Sequence, residues 1–306
     1  MNTSKSPKFQ RLKIFFSNIK REFIKNKNIV GQLVKRNVKV QYRNSAIGIL
    51  WTVLNPLLNM LVMYLVFGTI FGYSSDKTYV LYLLCGNIIF NTMRGATTQS
   101  MTSLVNNRGL LTKNKIAFQV FPLSCNISAI VNLAFSYIAL LIVMMVVDTS
   151  CPFMHVFSLN MFKAILMIPA FFLFIYGVSL VLAAAYVYFR DILHFYNIFL
   201  TLWMYMTPIF YKTNTISGNF GKFFVMILKC NPMVHFVEYF RAVTYRMIAE
   251  TSITDTSAEA VKQVAAIKDS VIIDTNLLTL YGWGIAFFVA GLLIFSASKR
   301  NFMYKI

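Results

Sequence analysis

Six stretches of this chain, at roughly residues 48–71, 79–101, 121–147, 161–188, 193–211 and 277–297, are each about as long and as apolar as a bilayer core requires. Nothing else in the sequence constrains the fold as much. A backbone inside lipid has no water to bond, so each stretch must satisfy its own N–H and C=O groups, and runs of this length do so as helices. The expected fold class is an all-α integral membrane protein with six transmembrane helices per subunit. Composition agrees, with 58% hydrophobic residues, 13% charged residues and a mean hydropathy of +0.63.

A formal charge of +19 would suggest nucleic acid in a soluble chain. Here the basic residues flank apolar spans, where they report topology and contact with membrane lipids, so no nucleic-acid partner is expected. Nineteen of the 29 Lys and Arg fall before the first stretch, between the second and third, between the fourth and fifth, and after the sixth. Glu22 and Asp191 are the acids on that side. Both termini are therefore expected in the cytoplasm. The first 46 residues are cationic and amphipathic, without the pattern of a cleavable signal.

Two surface helices are expected in this leading segment, residues 1–46. In residues 9–24, Phe9, Leu12, Phe16, Ile19 and Phe23 recur at three- and four-residue steps, the pattern of a helix lying flat on the inner leaflet. The run NIVGQLVKRNVKVQYR then sets Lys35, Arg36, Lys39 and Arg43 opposite Val30, Leu33, Val34 and Val38. It leads directly into the first span. The transmembrane domain occupies 47–300 and a short cytoplasmic tail 301–306. Within that domain, the external segment 212–276 contains two apolar pieces, FFVMILKC and NPMVHFVEYFRAV, each too short to cross a bilayer. They are expected to form a re-entrant or surface-lying hairpin, broken at Pro232, with Glu238 and Arg241 at ion-pair spacing.

The spans carry polar stripes. Asn87, Asn91, Arg94 and Thr98 share one face of the second span, and Trp51, Asn55 and Asn59 share one face of the first. Ser124, Ser128, Asn132 and Ser136 do the same in the third span, and Asn197, Thr201, Tyr205 and Pro208 in the fifth. An unpaired amide or hydroxyl costs a few kcal/mol in an apolar medium, so these faces must meet other helices, another subunit or a hydrated conduit. The serine stripe reads as interhelical packing, and the asparagine and arginine stripe as a conduit. Arg94 also lies near enough to the cytoplasmic end to snorkel. Flat rings beside amides suit a sugar-lined path, and Trp51, Tyr205, Phe210 and Tyr211 share or adjoin the striped helices.

No catalytic or metal-binding spacing occurs, and no G-x-x-x-x-G-K-[ST] loop is present to hold a nucleotide. The chain is thus expected to be no enzyme and to hold no cofactor of its own. Cys151 and Cys230 are both expected outside, in different loops, and are expected to stay unbridged.

Four blocks in order, QLVKRNVKVQYRNSAIGILWTVLNPLL, LVNNRGLLTKNKIAFQVFPLS, AAAYVYFRDILHFYNIFLTLWMYMTPIFY and NPMVHFVEYFRAV, resemble the membrane subunit of ABC-2 type transporters that export lipid-linked polysaccharides. That family includes the O-antigen, capsule and teichoic acid permeases. Asn44 departs from the family's usual Gly, and residues 87–90 lack its usual Pro-Trp. The resemblance implies a homodimer in the bacterial plasma (inner) membrane, with two separate ABC ATPase subunits binding ATP and Mg on the cytoplasmic side. It also implies a substrate of polymer on a polyprenyl diphosphate. Lys35, Arg36, Lys39 and Arg43 would attract that headgroup, and Trp51, Asn55, Asn59, Asn87, Asn91, Arg94, Tyr205, Phe210 and Tyr211 would line the path. The loops 106–119 and 189–194 would carry the signal from the ATPase through Arg108, Lys113, Lys115, Arg190 and Asp191. A permease for drugs or small lipids would share this fold. An ion-driven carrier fits less well, because the acids nearest the spans, Asp148, Asp191 and Asp274, sit at their ends.

Overall fold

The structure is a computed structural model that describes residues 26–41, 48–63, 65–66, 77–113, 116–147, 159–211, 223, 226–252, 276–299 and 302–305. The expected flat helix at 9–24, Arg43, Lys115, Cys151 and much of the external segment lie outside these residues. Helices follow one another as α1 (Lys27–Gln41), α2 (Trp51–Met63), α3 (Lys77–Asn106), α4 (Arg108–Lys113) and α5 (Val120–Val147). They continue as α6 (Leu159–Tyr188), α7 (Ile192–Tyr205), α8 (Pro232–Ser252), α9 (Leu277–Ser298) and α10 (Phe302–Lys305). The described residues contain no strand.

Three helices are long and apolar enough to cross a membrane unaided: Val120–Ile142 within α5, Lys163–Tyr188 within α6, and α9. The other three expected spans behave differently, each for its own reason. Helix α7 is apolar but has 14 residues, about 21 Å at the helical rise. Helix α2 is described over 13 residues. Helix α3 has 30 residues, about 45 Å, yet is not uniformly apolar. It occupies the middle of the bundle, packed against α5, α6 and α8. Every residue from Leu81 to Phe90 is buried, so this helix meets protein where a peripheral span would meet lipid.

Small residues set the closest contact, between α6 and α9. These helices run in the same direction, with Ala170 against Gly284 and, seven residues further on in each, Gly177 against Gly291. A Cβ on Gly284 would lie 2.6 Å from the Ala170 carbonyl oxygen, and one on Gly177 or Gly291 would meet the facing backbone. Backbones can approach this closely only where side chains are absent. Phe174 closes the layer, its ring 5.0 Å from Phe287 and 5.3 Å from Phe236.

Helix α8 enters the bundle instead of resting on it. From Pro232 to Thr244 only Ala242 is not fully buried. Arg241 is 1% exposed and binds Glu238 at 3.0 Å, so the i,i+3 pair expected from sequence is present, inside the protein. The same guanidinium donates to the carbonyls of Tyr82, Pro208 and Ile209. Pro208 and Ile209 lie just past the end of α7, where helix carbonyls have lost their intrahelical donors, so the cation caps that turn. Gly86 makes room for it, since a Cβ there would lie 2.7 Å from Nη2.

Candidate functional site

An open groove of about 630 Å3 runs between α2, α3 and α5. Trp51, Asn55 and Asn59 line it from α2, Asn87, Asn91 and Thr98 from α3, and Asn132 and Ser136 from α5. The helical period explains the convergence: three- and four-residue steps stack these side chains on one face of each helix, and the faces meet. Asn91 donates to Asn87 Oδ1 at 2.7 Å, and Asn132 donates to Gln41 Oε1 at 3.0 Å. Asn132 Oδ1 and Thr98 Oγ1 are buried and have no hydrogen-bond partner among the described residues.

The groove continues downward. A second cavity of about 400 Å3, lined by Arg36, Asn37, Ser103, Asn106 and Asn107, shares Gln41, Gln99 and Thr102 with the first. Its floor is α1. Val30 and Leu33 are buried under that helix while Lys35, Arg36 and Lys39 are exposed, the amphipathic split expected from the sequence. Three polar contacts strap α1 to the bundle. Arg36 donates to Asn107 Oδ1 at 2.7 Å, Asn37 to Cys125 Sγ at 3.8 Å, and the Gln41 amide oxygen accepts from Asn132.

Asn107 is a junction. Its side chain donates to the Ser103 carbonyl at the end of α3, and its own carbonyl accepts from Leu110 and Leu111 in the first turn of α4. Arg36 thereby joins α1 to the helix carrying exposed Arg108 and Lys113. The 189–191 turn lies at the same end of the bundle. Phe302 of α10 packs on Phe118 at 5.5 Å, Phe295 at 5.2 Å and Tyr188 at 6.2 Å, gathering the 116–119 loop and the ends of α6 and α9. Arg190 lies over the Tyr186 ring at 5.2 Å, and Asp191 is exposed at the start of α7.

Other site residues expected from sequence lie apart from the groove. Arg94 is exposed on α3 and is not among the lining side chains. Tyr205, Phe210 and Tyr211 cluster at the end of α7 and in the turn after it, with Tyr205 and Phe210 rings 6.1 Å apart and the Tyr211 hydroxyl donating to the Tyr205 carbonyl at 3.0 Å. Tyr79 and Tyr82 of α3 hold this turn through the carbonyls of Phe210, Pro208 and Tyr211. The α5 stripe divides in two. Ser124 and Ser128 bond back to their own helix, whereas Asn132 and Ser136 face the groove. Gln99, Thr102, Ser103 and Asn106 also line the path, and the helical period that sets the Asn91–Thr98 face reaches them two turns further on. Cys230 is exposed and free.

A helical membrane bundle with a polar groove, uncharged among the described residues and floored by an amphipathic helix, has the character of a permease-like integral membrane protein. Residues 29–245 match the family model described as ABC-2 type transporter, and the chain belongs to that family. It is 30% identical over 225 residues to the O-antigen export system permease protein RfbA of Myxococcus xanthus, covering 74% of this chain and 83% of that one. Two proteins of the same name from Klebsiella pneumoniae are 26% and 25% identical over 206 and 216 residues, each match covering 67% of this chain and 75% of the relative.

Proposed function

We infer that this chain is the membrane-spanning permease subunit of an ATP-driven transporter that exports a polysaccharide carried on a polyprenyl diphosphate. The observation that carries this reading is the groove: a continuous polar path from the basic helix α1 into the apolar bundle. Its exposed carboxamides, among them Asn55, Asn59, Asn91 and Gln99, present donors and acceptors that suit a hydrated or hydroxyl-bearing occupant. The export role named for the RfbA relatives supports the same cargo.

In this reading two copies face each other and enclose the path, each contributing six spans with α8 and the residues before it as a re-entrant hairpin on the outer side. Both termini are cytoplasmic. Lys35 and Lys39, exposed on α1, attract the diphosphate headgroup. Two ABC ATPase subunits, which bind ATP and Mg, dock on α4 and the 189–191 turn through Arg108, Lys113 and Arg190. Their closure moves α4, and Arg36 passes that motion from Asn107 to the floor of the groove. An ion-driven carrier would place an acidic side chain in the path, and none lines the groove among the described residues.

Deleting the gene in its native host tests the reading. Lipid-linked glycan is expected to accumulate on the cytoplasmic side. A deletion strain that delivers its surface polysaccharide normally and accumulates nothing contradicts it.

A further inference from the structure

The lining of the groove is specific enough to say what kind of polymer fits it. Seven carboxamides and five hydroxyls face the groove, and no charged side chain does so among the described residues. Among the described residues the cation lining the lower cavity is Arg36, which already donates to Asn107. We propose that the polymer passing through this groove is a neutral glycan, with no phosphodiester or carboxylate in its repeat, and that anionic groups are confined to the carrier end of the substrate. This rests on the export reading above and narrows its cargo.

Three observations favour a neutral chain. First, a polymer bearing a charge on every repeat would hold several anions in a site walled by lipid-embedded helices. Each sheds part of its water against those walls, and among the described residues no cation lines the groove to offset that loss. Arg94, the nearest further cation on α3, is not among the lining side chains. Second, carboxamides present a donor and an acceptor side by side, the complement of a sugar hydroxyl, which also does both. Third, the amide oxygens and hydroxyls of the lining are acceptors to which a sugar hydroxyl can donate, whereas an ionised phosphodiester or carboxylate offers only further acceptors. Trp51 adds an apolar ring face on the same wall, against which the C–H face of a sugar can rest.

Gly95 offers a probe position. It lines the groove, and a Cβ there meets nothing within 4 Å. The assembled transporter carrying Gly95→Cys, in lipid vesicles, is treated with a neutral maleimide, and labelling at position 95 is followed by peptide mass spectrometry. Added oligomers are a neutral dextran fragment, a glycerol-phosphate oligomer of equal length and an oligosialic acid. At ten times its dissociation constant the neutral oligomer is expected to slow labelling about tenfold, with little protection from either anionic oligomer. Quenching of Trp51 fluorescence in the unsubstituted protein, referenced to Trp51→Phe, gives the same ranking without any cysteine. Equal or better protection by an anionic oligomer overturns the neutral-cargo inference and leaves the export reading standing. Protection by none of them, with no change in Trp51 emission, removes the groove from the substrate path and overturns both.

Discussion

The guanidinium of Arg241 on α8 lies 3.5 Å over the ring of Tyr82 on α3 and donates to that residue's carbonyl at 3.1 Å and 3.2 Å. One buried cation thus joins α3, α8 and the turn after α7. Removing it strands Glu238 and the carbonyl of Ile209 in the interior and leaves the Pro208 carbonyl with the Tyr82 hydroxyl. Arg241→Ala is expected to destabilise the protein by about 3–5 kcal/mol, the usual loss when one partner of a buried pair is deleted. Thermal unfolding in detergent measures it. Arg241→Lys should recover only part, because an ammonium cannot reproduce the planar fork that reaches three segments at once. A variant as stable as the parent would show that the network is dispensable.

Glycines on two helices are predicted to respond with opposite signs. Gly177→Leu forces a side chain into the α9 backbone and should cost at least about 2 kcal/mol through overpacking. Gly95→Ala adds a methyl in open space on a helix and should stabilise by roughly 0.5–1 kcal/mol. Parallel unfolding curves for the two variants decide this.

The Arg36–Asn107 contact predicts an uncoupled phenotype. Asn107→Ala should leave ATPase recruitment intact in pull-downs while lowering both export and the stimulation of ATP turnover by polymer. The double variant Arg36→Ala with Asn107→Ala should be no worse than either single one, since both remove one link. Strictly additive losses would mean that the two residues act separately.

Bulk placed in the groove should sort cargo by length. Asn91→Trp and Asn55→Trp are expected to block long polymers before short ones, read as a shift of the exported chain-length distribution on a gel. If the distribution is unchanged, the groove's side chains only pack helices together.

Much of this architecture was legible in the sequence because it rests on local periodicity. The α1 split into buried Val30 and Leu33 and exposed Lys35 and Lys39 follows from the 3.6-residue helical period alone. The same holds for the shared faces of Trp51, Asn55 and Asn59, and of Asn87 and Asn91. Periodicity shows which residues share a face but not what that face meets. Tyr205, Phe210 and Tyr211 therefore read as a further stretch of the path, and the structure sets them at the end of α7 and in the turn held by Tyr79 and Tyr82. Asn132 resembled packing, although it opens onto the groove. The Glu238–Arg241 spacing was visible, yet its burial was not, because Tyr82, Pro208 and Ile209 approach from 159, 33 and 32 residues away. Hydropathy alone also understates α3, since a helix surrounded by protein need not be apolar on every side.

Thiol accessibility along the groove tests the central claim most directly. Asn55→Cys and Asn91→Cys, each in the transporter assembled with its ATPase, are exposed to a membrane-impermeant thiol reagent without nucleotide, with ATP held unhydrolysed, and after hydrolysis. Both positions are predicted to react, at rates that change with nucleotide state. Silence at both positions in all three states would contradict a hydrated path through this protein.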